Sequence, residues 1–172
     1  MADTATGEAS TPPTHDLTPT IGRFLDRHLL LPLLDFLSSR QLFPHDDLER
    51  SKLTVLFKTN MLDLAVDVYK ALHKGADVPP SIATRRDEVL ANMQLLKEEV
   101  EPILAIVGDA GRVEELKRER CFNAAYFGSQ LNITPAQIEV LQKWAKFLFE
   151  CGDYGAATSL LSSYRMLTSD SE

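Results

Sequence analysis

The apolar residues Val89, Met93, Leu96, Val100, Ile103 and Val107 recur four and three residues apart between Ser81 and Gly108. That spacing returns to one side of an α-helix and not to one side of a strand. It predicts a long helix whose stripe must be covered within the same fold, most simply by a long antiparallel helix. The seam spans fewer than three heptads, too few for a free-standing coiled coil. Pro102 falls inside it and predicts a local kink or break. No alternating strand run or Asn-Gly hairpin signal competes with this helical reading.

The flanking segments carry the same signature. Thr18-Pro19 reads as an N-cap with proline at the first helical position, opening a helix with Ile21, Phe24, Leu25 and Leu29 on one face. Pro32 is expected to end or kink it and to start a second helix through about Ser39. Asp46 or Asp47 is expected to cap a helix carrying Leu48, Leu53, Leu56 and Phe57, with His45–Asp47 as its acidic first turn. Asn60 is the expected cap of the next helix, whose stripe is Leu62, Ala65, Val66, Tyr69 and Leu72 and whose stop is Gly75. One or two short helices follow Asp109. Thr134-Pro135 then repeats the opening signal ahead of Ile138, Leu141, Trp144, Ala145, Leu148 and Phe149. A last helix, from about Asp153 to Leu167, presents Ala157, Leu160, Leu161 and Tyr164.

The predicted class is all-α, with irregular stacked helical hairpins in the manner of a tetratricopeptide-like α-solenoid. There are too many short helices for a four-helix bundle. Residues 1–15 are small and polar and read as a disordered tail, residues 16–168 as an α-helical repeat domain, and residues 169–172 as a frayed end. A length of 172 residues fits one domain with a core large enough to need no disulfide or metal.

"FLFECGDYGAATSLL", Phe147 to Leu161, poses the choice between chemistry and geometry. Cys151 lies at a predicted helix C-terminus between Glu150 and Asp153, a setting that opposes the thiolate. No histidine is near it in sequence, leaving His28, His45 or His73 to approach in space. Cys121 follows "KRER" but has no other feature of a reactive thiol. The two G-x-x-G matches, Gly108–Gly111 and Gly152–Gly155, each hold an Asp where a phosphate cradle wants bare amides, so both read as inter-helix turns. In the second turn, Gly152 supplies a left-handed helix end, Asp153 caps the next helix, and Gly155, Ala156 and Ala157 let two helices approach. With no nucleotide loop, nucleophile elbow or metal-ligand spacing, no enzyme activity is expected, and no catalytic, cofactor-binding or metal residues are assigned.

The charge balance of −7 opposes non-specific nucleic-acid binding. Arg85–Arg86 and Lys117–Arg120 are the compact basic clusters, the second diluted by glutamates, so RNA contact is expected to be minor or none. Two cysteines thirty residues apart and no secretory signal point to reduced thiols in the cytosol or nucleus. "HLLLPLLDFL", His28 to Leu37, is too short to span a membrane, which takes about 20 apolar residues. Its leucine spacing loosely fits a nuclear-export pattern, which helical cores also produce.

"FLDRHL" (Phe24–Leu29), followed by "PLLDFL" (Pro32–Leu37), carries a family resemblance. "TNMLDLAVDVYKALH" and "AKFLFECGDYGAA" follow in order behind it. With them, the chain from Asp16 to Leu167 resembles the N-terminal region of the Int-6 family, the E subunit of eukaryotic translation initiation factor 3. The resemblance implies a non-catalytic scaffold subunit of a cytoplasmic complex that brings mRNA and initiator tRNA to the small ribosomal subunit, with room for a minor nuclear pool. It implies other initiation factor 3 subunits as direct partners, the small ribosomal subunit as an indirect one, and no membrane. Family members end in a PCI domain with a winged helix. No such region follows here, so the chain reads as an N-terminal fragment or truncated product. An apolar patch near Tyr154 to Leu167 is then expected, where a continuation would pack. The equivalent subunit of the proteasome lid or signalosome, and a free-standing repeat adaptor, are the alternative readings.

Overall fold

The computed structural model describes residues 24–169, so the Thr18-Pro19 start, Ile21, the 1–15 tail and residues 170–172 lie outside the described residues. Among the described residues there are eight α-helices and no strand. They are α1 (Arg27–Ser39), α2 (His45–Leu56), α3 (Leu62–Leu72), α4 (Pro80–Val107), α5 (Ala110–Arg118), α6 (Ala124–Gln130), α7 (Pro135–Glu150) and α8 (Tyr154–Thr168).

Two apolar cores organise them. Leu31, Leu53, Leu56, Ala65 and Val68 join α1, α2 and α3. A larger core gathers Val100, Ile103 and Ile106 of α4 with Phe127 of α6, Leu141 and Trp144 of α7 and Leu167 of α8. Burying a residue as fully as Leu141 stabilises the fold by about 2 kcal/mol. The long helix packs mainly on α7, and its predicted seam faces that core: Val100 and Ile103 are buried, while Val89, Met93, Leu96 and Val107 pack against it half-exposed.

Several local expectations change. Neither proline ends its helix: Pro32 lies inside α1 and Pro102 inside α4. Both are exposed, where a carbonyl deprived of its donor can tilt outward to water instead of breaking the ladder. A helix does not run from Phe24 into Leu29. Asp26 is extended and caps α1, its Oδ1 accepting from the His28 N–H at 2.8 Å. Phe24, Leu25 and Leu29 are exposed, and the buried side of α1 is His28 and Leu31. Pro44 precedes α2 without a side-chain cap, leaving Asp46 and Asp47 in the first turn, where carboxylates favour the helix dipole. Asn60 caps nothing with its side chain; its backbone N–H donates to the Glu150 carbonyl at 3.0 Å, and Met61 opens α3.

Other expectations hold. Gly75 has φ +82° and closes α3, its N–H reaching the Lys70 carbonyl. The segment after Asp109 forms two short helices, α5 and α6. Thr134 and Gln137 close a reciprocal capping box on α7: the Thr134 Oγ1 accepts from the Gln137 N–H at 3.3 Å, and the Gln137 Oε1 accepts from the Thr134 N–H at 2.8 Å.

Candidate protein-interaction surface

The turn between α7 and α8 is built by its own sequence. Gly152 has φ +88°, a conformation that costs a side-chain-bearing residue strain. Its N–H donates to the Phe149 carbonyl and the Asp153 N–H to the Leu148 carbonyl, the paired bonds of a Schellman end. The Asp153 Oδ1 then accepts from the Ala156 N–H at 3.0 Å and starts α8. Asp109 does the same for α5, so both G-x-x-G segments are capped turns between helices. Ala145 and Ala157 are buried where α7 and α8 meet. Gly155 is not part of that close approach: a Cβ there would have only Asp153 Oδ1 nearby, at 3.9 Å.

His28, in the "FLDRHL" segment, docks on this turn. It is buried, its Nδ1 lies 3.0 Å from the Tyr154 hydroxyl, and its Nε2 lies 3.4 Å from Glu150 Oε2. With the imidazole neutral, the carboxylate can only accept, so Nε2 carries the proton and Nδ1 accepts from Tyr154. The imidazole also packs against Phe149, ring centres 4.4 Å apart. The Asn60–Glu150 backbone bond ties the α2–α3 connection to the same place.

Arg85 locks that connection from α4. Its guanidinium donates to the Phe57 and Thr59 carbonyls, groups left over at the end of α2. Buried Thr59 donates its Oγ1 to the Leu56 carbonyl and accepts from the Met61 N–H. The neighbouring Arg86 pairs with Asp63 at 2.7 Å. The Arg85–Arg86 cluster therefore serves the fold, a role that sequence spacing alone did not distinguish from a basic patch.

The thiols carry no chemistry that the site supports. Burial first and the Glu150 charge second push the Cys151 thiol above its ordinary value of 9.0. Of the three histidines named as possible neighbours, His28 is taken by Tyr154 and Glu150, His45 meets Ser38 and His73 packs at a tilt against Tyr69. Cys121 is half-buried, its Sγ 3.4 Å from the Glu119 carbonyl. Among the described residues, no group of three or more His, Cys, Asp or Glu could hold a metal ion, and no helix is long and apolar enough to cross a membrane.

What the surface offers instead is exposed apolar area. Leu29, Leu33 and Phe36 recur at helical spacing along the outer side of α1 and are 64%, 43% and 51% exposed. Their stripe borders a groove of about 640 Å³ whose walls include Leu29, Pro32, Met61, Leu64, Phe149 and Tyr154. A second groove of about 640 Å³ runs between α4, α5, α7 and α8, with Leu104, Val113, Trp144, Leu148, Leu160 and Met166 in its walls. The patch expected between Tyr154 and Leu167 is thus divided. Leu167 is in the core, whereas Tyr154 and Leu161 are each 41% exposed.

Comparison with known proteins agrees with the resemblance carried by these segments. The family model described as the eIF3 subunit 6 N terminal domain matches residues 16–148. A protein from Arabidopsis thaliana, named as the E subunit of eukaryotic translation initiation factor 3, is 40% identical over 158 residues, covering 92% of this chain and 36% of the relative. A protein of the same name from Schizosaccharomyces pombe is 37% identical over 161 residues, covering 92% of this chain and 32% of the relative. One from Mycosarcoma maydis is 32% identical over 156 residues, covering 91% and 29%. The chain thus spans about a third of the length of the curated relatives it matches. With the family model covering most of its residues, the chain belongs to the family of the N-terminal domain of the initiation factor 3 E subunit.

Proposed function

We propose that this chain is a non-catalytic scaffold segment of initiation factor 3. It contributes protein–protein contacts to the complex that recruits mRNA and initiator tRNA to the small ribosomal subunit. The observation that carries this reading is the exposed stripe of Leu29, Leu33 and Phe36 on a helix anchored at its other side by His28 and Leu31. A rigid helix presenting large apolar side chains to solvent is the form of a protein contact surface. The initiation factor relatives favour this assembly over the proteasome lid or signalosome.

The surface partners are other initiation factor 3 subunits, with the small ribosomal subunit reached through them and RNA contact minor. The compartment is the cytoplasm. Consecutive packing of α1 on α2, α2 on α3 and α7 on α8 supports a tetratricopeptide-like stack of hairpins. We assign residues 16–168 to the repeat domain.

Affinity purification of the tagged chain from eukaryotic cells tests the proposal. Other initiation factor 3 subunits are expected in the eluate. A Leu33→Asp, Phe36→Ser variant is expected to lose some of them while melting like the parent. Recovery of no initiation factor subunit overturns the reading.

A further inference from the structure

We propose that the groove between α1 and the α7–α8 turn binds a basic amphipathic helix of a partner protein. The proposal rests on the scaffold reading and adds the chemistry of one contact. Three observations converge on this occupant.

The first is the groove's apolar lining. Leu29, Pro32, Met61, Leu64, Phe149 and Tyr154 supply aliphatic, thioether and aromatic surface. Met61 adds a flexible, polarisable wall that adapts to an incoming side chain.

The second is its charge. Asp26 and Asp35 line the groove, and Glu150 lies behind Tyr154 through the shared His28 contact. The cation in the lining, Lys52, pairs with Asp35 at 2.6 Å, and the two charges offset each other. Arg27, outside the lining, donates from its guanidinium to the Lys58 carbonyl. The lining thus carries a net charge of −1, from Asp26 and Asp35 against Lys52. Burial first, and then the charges of Asp26 and Glu150, raise the pKa of the Tyr154 hydroxyl. A partner with lysine or arginine beside its apolar anchors gains attraction there, whereas an acidic one is repelled.

The third is the absence of any strand among the described residues, which removes strand addition as a way to bind here. Recognition then runs through side chains, and an amphipathic helix delivers apolar anchors on one face with cations on its flanks.

Fluorescence anisotropy with the full chain tests this. The probe is a labelled peptide of about 16 residues, some four helical turns, with leucines on one face and lysines on the other. Its control has glutamates in place of the lysines. The lysine peptide is expected to bind at micromolar concentration, at least about tenfold tighter than the glutamate peptide, and to weaken as salt rises. An Asp26→Asn, Asp35→Asn variant is expected to weaken the lysine peptide about tenfold and to remove most of the discrimination. Asn caps a helix as well as Asp, so α1 keeps its start, which the melting curve checks. An Asp87→Asn, Glu88→Gln variant, altering exposed acids of α4 outside the groove, is expected to bind like the parent.

No binding of the lysine peptide overturns the proposal. So do equal binding of both peptides, and equal weakening by the two variants. If initiation factor subunits still copurify in any of those cases, the scaffold reading stands and the groove's assigned occupant alone is wrong.

Discussion

His28 and Tyr154 stand 126 residues apart in the chain and 3.0 Å apart in the fold. The contact joins the helix that opens the described structure to the turn that opens its last helix. His28 is buried, so replacing it with alanine removes two polar contacts and a ring packed on Phe149. His28→Ala is expected to cost about 2 kcal/mol, and Tyr154→Phe, which keeps the ring and loses the hydroxyl, about 1 kcal/mol. In the double variant the two costs should fall short of their sum, because both remove the same bond. Urea unfolding of the four proteins measures this, and strict additivity would show that the contact is not coupled.

Gly152→Ala is expected to destabilise the chain by about 1–2 kcal/mol through its left-handed backbone. A new Cβ would also stand 2.9 Å from Met61 Cε, and that flexible end must move. Thermal melting gives the first number. Adding Met61→Ala separates the two effects, since it removes the crowding and leaves the backbone strain. An unchanged melting temperature in Gly152→Ala would mean the turn does not need its glycine.

Gly155 behaves oppositely despite its place in the same motif. It sits in the first turn of α8 with open space around the Cβ it lacks. Alanine there restricts the unfolded chain and favours the helix. Gly155→Ala is therefore expected to stabilise the protein by about 0.4–1 kcal/mol. A loss of stability in the same assay would place Gly155 at a close helix contact after all.

Alkaline pH should loosen the fold from one identifiable corner. Burial, and then Glu150, raise Cys151 above 9.0; burial, Asp26 and Glu150 raise Tyr154 above 10.0. Both groups are neutral when protonated, and the folded chain holds those protons more tightly than the unfolded chain. Their contribution is complete below the unfolded values and is lost as pH rises through the folded ones. The melting temperature is expected to hold from about pH 7 to about pH 8.5 and to fall above about pH 9. Cys151→Ala should flatten the first part of that fall. An identical profile in the variant would remove Cys151 as its cause.

The helix class, the seam of α4, the capping box at Thr134 and the glycine turn at Gly152 were all legible because each is local. A stripe, a cap or a left-handed residue is specified within a few positions of itself. The errors came where exposure decides. Pro32 and Pro102 each allow a break or a kink on propensity alone; both face solvent inside continuous helices, which excludes the break. Asn60 has a capping side chain, but its backbone was claimed by Glu150 from a distant segment. The docking surface was the least legible part. His28 stands at the start of a leucine run, but its partners are more than a hundred residues away, and no period in the sequence points to them. Arg85 and Arg86 likewise read as charge until the fold placed carbonyls and Asp63 beside them.

The 28 residues of α4 make a rod of about 42 Å that holds the α2–α3 connection near its start, through Arg85, and lies against the larger core from Val89 onward. A rod of that kind sets a phase as well as a distance. One residue inserted near the exposed Leu95 would advance its far end by about 1.5 Å and turn it by about 100°. Val89 and Met93 would fall out of phase with Val100 and Ile103 on the larger core, and the Arg85 anchor, with the His28 side of the fold, would be carried out of line with Tyr154. The length of α4, counted to the residue, is thus what lets the two halves of the chain share one surface.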